Sequence, residues 1–141
     1  MKQSDKVITW INAGIFPATV MFSCGFGYEE IMKHLKKLKA DQWIAGISNE
    51  KSLIDSGSKF GLKRVIENNK TGKTVTLFYI IYKPLFKYTD EDYITLAHEV
   101  LHICQFMLPD ILDRNREYEA EAYLHSYLME KCLQSLKLKK K

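Results

Sequence analysis

The chain has 141 residues, of which 46% are hydrophobic and 12% aromatic, enough to bury a core in one folded unit. Its net charge is +4, but four lysines stand in the last five residues, so residues 1–136 are neutral overall. This distribution argues against a nucleic-acid partner and predicts a basic, disordered tail at about residues 137–141.

Three cysteines without a CxxC pair are too few for a disulfide framework and predict a reducing compartment. The N-terminal apolar stretch resembles a signal peptide only superficially, because Asn12, Gly14 and Pro17 interrupt it. No apolar run reaches the roughly 18 residues that a spanning helix needs. We therefore expect a cytoplasmic protein with no membrane partner.

The first third of the chain predicts strands followed by a helix. Residues 7–26 are rich in β-branched and aromatic residues and predict one or two short strands, broken at Gly14 or Pro17. Residues 28–38 carry apolar side chains at helical spacing, with lysines opposite, and predict a helix. Residues 41–49 are ambiguous.

The middle of the chain predicts a β-hairpin. Two apolar segments, residues 60–67 and 73–82, flank a polar segment that contains Gly72, and a tight reversal requires such a glycine. The second segment changes from alternating to continuously apolar, so we expect its far end to be buried on both faces of a sheet.

Two long helices are predicted to follow. Thr89 caps the first, with acids in its first turn and Asp92 in the position of the usual Glu or Gln of a capping box, and the helix should run to about Met107. Pro109-Asp110 closes it. The second helix spans roughly residues 115–136, and its predicted buried face comprises Ala120, Tyr123, Leu124, Tyr127 and Leu128.

These elements together predict an α+β fold. A small, mainly antiparallel sheet with a β-hairpin should pack against an N-terminal helix and two long C-terminal helices. No repeat, low-complexity block or linker divides the sequence, so residues 1–141 are expected to form a single domain.

The sequence His98-Glu99-Val100-Leu101-His102 on the first long helix is an HExxH motif. Residues four apart project from one helix face, so both imidazoles can bind a single Zn²⁺ at about 2.0–2.1 Å. Glu99, next to the first histidine, is then placed to act as general base on a zinc-activated water. The uncharged residues on either side of the motif indicate a buried helix. A purely structural role for the two histidines and Glu99 is the less favoured alternative, because a buried glutamate without a partner is costly.

A third zinc ligand must come from elsewhere, and the second long helix offers several. Glu119 is the first choice, because it lies at the margin of the predicted buried face and can reach inward. Glu121 lies at the other margin and stays open as an alternative, and His125 is a third. Tyr123, Tyr127 and His125 are also candidate donors to a developing oxyanion, although packing roles are favoured for all three.

An HExxH helix followed by a short turn and a helix rich in glutamate resembles the gluzincin branch of the zincin metallopeptidases. Residues 96–102, Leu-Ala-His-Glu-Val-Leu-His, and residues 119–124, Glu-Ala-Glu-Ala-Tyr-Leu, are also similar to small zincin-like proteins of bacteriophages and of mobile elements in gut bacteria. The resemblance covers about residues 89–130. It implies a zincin-like fold and, for a phage-encoded protein, the cytoplasm of a bacterial host.

By that resemblance His98, His102 and Glu119 would bind zinc, and Glu99 would be the general base. The chain is too short for the substrate-binding subdomain of large gluzincins and lacks their Asn-Glu-x-x-x-Asp signature. We therefore expect a zinc-dependent hydrolase, a metallopeptidase with a narrow protein or peptide target. The alternative is a non-catalytic interaction protein of a phage or mobile element in which zinc is structural.

Overall fold

Four strands form one sheet, with the spatial order β1-β2-β4-β3. The strands are β1 (Val7–Asn12), β2 (Thr19–Cys24), β3 (Lys59–Glu67) and β4 (Thr74–Tyr82). The pairs β1/β2 and β3/β4 are antiparallel, whereas β2 and β4 are parallel. The predicted mainly antiparallel sheet and its hairpin are thus confirmed. The computed structural model describes residues 6–14, 16, 18–68, 70–108 and 117–137, without the side chains of 117–119 and 137.

Helices connect and cover the strands. They are α1 (Tyr28–Lys37), α2 (Asp41–Ile47), α3 (Lys51–Asp55), α4 (Asp90–Met107) and α5 (Glu117–Lys137), with a 3₁₀ turn at Ser48–Glu50. The N-terminal helix and the two long C-terminal helices were predicted. The short helix α2 occupies residues 41–49, which sequence patterns left ambiguous, and α3 follows directly after that segment.

The sheet is covered by helices on both faces. Successive side chains of β4 point to opposite faces, and its last six residues, from Leu77 to Tyr82, are all buried as predicted. Phe78, Ile80 and Tyr82 join the core beneath α4 and α5. The alternate residues join a second core beneath α1, α2 and α3. The α+β architecture predicted from the sequence is therefore present.

The start of α4 has the predicted capping box. Thr89 Oγ1 accepts a hydrogen bond from the Asp92 backbone N–H at 3.1 Å, and Asp92 Oδ2 accepts one from the Thr89 N–H at 3.4 Å. Asp92 also accepts hydrogen bonds from the Lys87 N–H, at 2.8 Å, and from the Tyr82 hydroxyl. The carboxylate therefore fixes where α4 leaves the sheet. The predicted stop at Pro109-Asp110 lies outside the described residues.

The buried face of α5 differs in part from the predicted one. Leu124 and Leu128 are buried, together with Cys132 and Leu136 further along the helix. Tyr123 is 46% exposed, so its prediction as a buried residue was wrong. Its ring contacts aromatic rings at the margin of the helix, whereas residues at spacings of four, from Leu124 to Leu136, form the buried face.

All three cysteines, Cys24, Cys104 and Cys132, are buried, and none of them forms a disulfide bond. Of the helices in the described ranges, none combines the length and apolar character needed to cross a membrane. The predicted basic tail overlaps the end of α5 at Lys137, and residues 138–141 lie outside the described part of the chain.

Candidate metal centre

The two motif histidines converge on one point beside α4. The Nε2 atoms of His98 and His102 are 3.0 Å apart, and the ring centroids are separated by 4.5 Å with the planes at 88°. His98 is exposed and His102 is half-buried, so the pair is accessible from solvent. The spacing of four residues therefore brings both ring nitrogens together, as the sequence predicted.

Gln105 lies beside the second ring nitrogen of His102. Its side-chain Oε1 is 3.2 Å from Nδ1 of His102. With the proton on Nδ1, the amide oxygen accepts a hydrogen bond and Nε2 keeps its lone pair. Metal-binding histidines are commonly oriented by such a partner on the second ring nitrogen. The sequence analysis missed Gln105, although its position three residues after His102 places both on the same helix face.

Glu99 is buried, with 8% of its surface exposed, and its carboxylate is held by a strand. Its Oε1 accepts a hydrogen bond of 2.9 Å from the backbone N–H of Gly61 in β3. β3 is an edge strand, and this N–H points away from β4 toward the open edge. The Glu99 carboxylate is therefore tied to the edge strand β3, while the histidine pair lies on the same helix α4.

Only glycine fits at position 61. A Cβ atom there would lie 2.5 Å from the backbone oxygen of Glu99 and 3.2 Å from Cγ1 of Ile103. The absent side chain lets α4 approach β3 closely enough for the Glu99 carboxylate to reach the strand. Gly61 was not identified from the sequence. The signal that was overlooked is an isolated glycine within a predicted strand, which commonly marks such a close approach.

The candidates for a third ligand lie on α5. The side chain of Glu119 lies outside the described residues. Glu121 lines a surface cavity of about 340 Å³ with Leu101, Ala122, His125 and Ser126.

Burial, and secondarily the charge of Glu121, raises the pKa of the Cys104 thiol to about 12. Cys104 is therefore a protonated core residue, as expected from its position on α4.

His125 has a different partner from the one considered for it. Its Nε2 donates a hydrogen bond of 3.0 Å to the backbone oxygen of Ala97, which ties α5 to α4 one residue before the motif. Among the side chains described, no third His, Cys, Asp or Glu completes a metal-binding group with His98 and His102. Glu121 and His125 are thus not brought to the pair, and Glu119 stays a prediction.

The two tyrosines considered as oxyanion donors pack against each other. The rings of Tyr123 and Tyr127 are stacked with centroids 6.0 Å apart, and Tyr123 also contacts Phe16 at 6.3 Å. An added Cβ at Gly14 would lie within 3.6 Å of both tyrosines, which places them against the β1–β2 connection. The favoured packing role fits these contacts.

The donor set of the site suits a divalent metal. Two nitrogens bound to one zinc at about 2.0–2.1 Å can be no more than about 4.2 Å apart, and the observed 3.0 Å satisfies that limit. Imidazole nitrogens also suit other divalent transition metals. Comparisons of the chain with models of protein families, with curated proteins and with solved structures found no match.

Proposed function

We propose that this chain is a zinc-dependent hydrolase, a metallopeptidase of narrow specificity. His98 and His102 are two of its metal ligands, Glu119 supplies the third, and Glu99 is the general base. The observation that carries the proposal is the convergence of the His98 and His102 Nε2 atoms beside a buried glutamate. Chemistry of this kind needs a site that is open to substrate, and the exposure of His98 meets that need.

The metal would supply Lewis-acid polarisation of the scissile carbonyl and would lower the pKa of a water toward neutrality. By accepting a hydrogen bond from Nδ1, Gln105 would leave the Nε2 lone pair of His102 available to the ion. Glu99 accepts the proton from the attacking water and returns it to the leaving amine. The hydrogen bond from Gly61 holds the Glu99 carboxylate in one orientation, so the base does not have to be ordered when substrate arrives.

The open edge of β3 supports an extended peptide as substrate. Backbone groups of alternate residues in an antiparallel strand point to the same side, so Val65 directs its N–H and C=O to the same edge as Gly61. Val65 is 54% exposed. An extended peptide can add to such an edge through main-chain hydrogen bonds, which would align a scissile bond beside Glu99.

The alternative is a structural metal in an interaction protein. A structural zinc site is closed by four protein ligands, and such sites hold elements together rather than face solvent. The described residues supply two converging histidines and a carboxylate engaged by a strand amide. This arrangement favours the hydrolase, because a closed structural site has no need of a base at position 99.

The test is the metal content of protein purified without added metal, measured by mass spectrometry. We expect one equivalent of zinc in the wild type and at most a tenth of that in His98→Ala and in Glu119→Gln. His34→Ala, a change on α1 away from the motif, is the matched control and should keep its zinc. Loss in Glu121→Gln with retention in Glu119→Gln would transfer the third ligand to Glu121.

A wild type that holds no zinc, even after zinc is supplied and the protein re-purified, would refute the proposal. For the catalytic step, digestion of a peptide library separates an enzyme from a structural site. Glu99→Gln should keep its zinc and lose cleavage by at least about 100-fold. Full zinc with no cleavage by the wild type would favour the interaction protein instead.

A further inference from the structure

A second cleft lies on the other side of the sheet, under α2. It has a volume of about 530 Å³ and is bounded by α2 and by residues of β1, β2 and β4. This volume falls within the range of about 300–1,000 Å³ that is typical of small-molecule sites. The polar and aromatic side chains that line it are Trp10, Asn12, Thr19, Gln42, Trp43 and Thr76.

The cleft is uncharged, although 27% of the chain consists of charged residues. On the face of the sheet beneath α2 its polar groups are two amides and one hydroxyl, at Asn12, Gln42 and Thr19, and all three residues are exposed. Thr76 alternates to the other face of β4, with Phe78 and Ile80. Amides and hydroxyls both donate and accept hydrogen bonds. A nucleotide or an anionic lipid would need a cation, and no lysine or arginine lines this cleft. A neutral ligand rich in hydroxyl groups fits best.

Two tryptophans supply the apolar wall. The rings of Trp10 and Trp43 have centroids 6.0 Å apart at an angle of 72°, and Trp43 contacts Tyr79 in the same edge-on manner at 6.5 Å. Both tryptophans are only half-buried. An indole presents a broad apolar face with a polar N–H at its edge. The apolar C–H face of a sugar ring and its hydroxyl rim match that combination.

Trp10 also has a donor without an acceptor. Its Nε1 is buried and forms no hydrogen bond within the part of the chain that the structure describes. A buried polar atom left in this way carries a free-energy penalty. This N–H has no exposed surface, so a ligand in the cleft would meet the ring of Trp10 and not its Nε1.

We propose that this cleft is a binding site for a neutral saccharide, which packs against Trp10 and Trp43 and is hydrogen-bonded by Gln42 and Thr19. The site is independent of the proposed metal centre. The two tryptophans lie with the core beneath α1, α2 and α3, whereas His98 and His102 lie on α4, which covers the other face of the sheet.

Tryptophan fluorescence tests this inference directly, because the only two tryptophans of the chain both line the cleft. The full chain is titrated with neutral oligosaccharides of glucose, of N-acetylglucosamine and of galactose, and with adenosine. We expect a saturable change in emission for at least one oligosaccharide and none for adenosine. Gln42→Ala and Thr19→Val, both at exposed positions, should weaken that binding at least fivefold without unfolding the protein.

His98→Ala should bind the saccharide as the wild type does, which separates this result from the fate of the metal centre. No saturable change with any of the oligosaccharides would overturn the proposal. A response to adenosine in place of the saccharides would also overturn it, as would saccharide binding of unchanged affinity in both Gln42→Ala and Thr19→Val.

Discussion

Among the side chains that the structure describes, two glutamates are buried, one beneath each helical layer, and they are held in different ways. Glu50 is 3% exposed and its Oε2 receives hydrogen bonds from Nε and Nη2 of Arg64, at 3.0 and 2.7 Å, and from the Tyr79 hydroxyl. Burial, supported by Glu50, raises the pKa of Tyr79, so the phenol stays protonated and donates. The charge of Glu50 is therefore balanced by Arg64, and its Oε2 is also hydrogen-bonded by Tyr79.

Glu99 is 8% exposed, and the partner of its Oε1 is the backbone N–H of Gly61. Neither of the ion pairs that the structure describes includes Glu99. A buried carboxylate with a cation ties elements together, whereas one without a cation is costly unless its environment uses the charge. The difference indicates that Glu50 stabilises the fold, and it is compatible with the role of general base that we propose for Glu99.

Removing the cation from Glu50 should have the largest effect. Arg64→Met leaves a buried carboxylate with the Tyr79 hydroxyl as its remaining strong donor, and we expect the free energy of unfolding to fall by about 3 kcal/mol. Urea denaturation measures it. The control is Lys51→Met, which breaks the exposed Lys51–Asp55 pair and should cost far less. Equal costs in the two variants would contradict a structural role for Glu50.

Gly61→Ala should come next, because it tests the contact that holds Glu99. The added Cβ would lie 2.5 Å from a backbone oxygen, which cannot move aside cheaply, so we expect a loss of about 2 kcal/mol. Gly27→Ala is the control, since a Cβ there has 3.7 Å to its nearest neighbour. A Gly61→Ala protein as stable as Gly27→Ala would show that α4 and β3 are not in close contact.

Most of the fold could be predicted from local signals. The capping box at Thr89 and Asp92 and the continuously apolar end of β4 are encoded within a few residues, and the structure contains both. The helices α2 and α3 were not predicted, because residues 41–55 follow neither periodicity. Their position depends on tertiary contacts, in which Glu50 reaches Arg64 in β3 and Tyr79 in β4.

The site could be predicted only as far as one helix determines it. The convergence of His98 and His102 follows from helix geometry alone. The contact between Glu99 and Gly61 joins residues 38 positions apart, so no local pattern contains it. The ligand on α5 depends on how two helices pack, and helical periodicity favoured Glu119 without excluding Glu121 at the other margin of the predicted buried face.

A third and smaller effect concerns the stability of the fold at low pH. Burial alone would raise the pKa of Asp92, but hydrogen bonds from Tyr82, Lys87 and Thr89 together lower it. A carboxyl with a lowered folded-state pKa adds stability above its unfolded pKa of about 3.9 and loses it as the pH falls through the folded value. We expect a loss of about 1 kcal/mol from this group below pH 4, the size of a helix cap.

Asp92→Asn should flatten that part of the acid dependence in urea denaturation from pH 5 to pH 2. Asp90→Asn replaces an exposed acid in the same helical turn and should leave the dependence as it is in the wild type. An Asp92→Asn protein with an unchanged acid profile would mean that the hydrogen bonds around this carboxylate do not favour its ionised form.

The smallest change in stability should come from Glu99→Gln, and it separates the two buried glutamates most clearly. The amide oxygen of glutamine can still accept the hydrogen bond from Gly61, and the variant removes a buried charge that no described cation pairs with. We expect the free energy of unfolding to stay within about 1 kcal/mol of the wild type. A higher free energy of unfolding would support our proposal further, because active-site residues commonly lower the stability of a protein. Glu99→Ala, which leaves the Gly61 N–H without its acceptor, should be less stable than Glu99→Gln. If Glu99→Gln lowered the free energy of unfolding as much as Arg64→Met does, Glu99 would be a structural residue like Glu50. Its buried charge would then no longer support a role as general base.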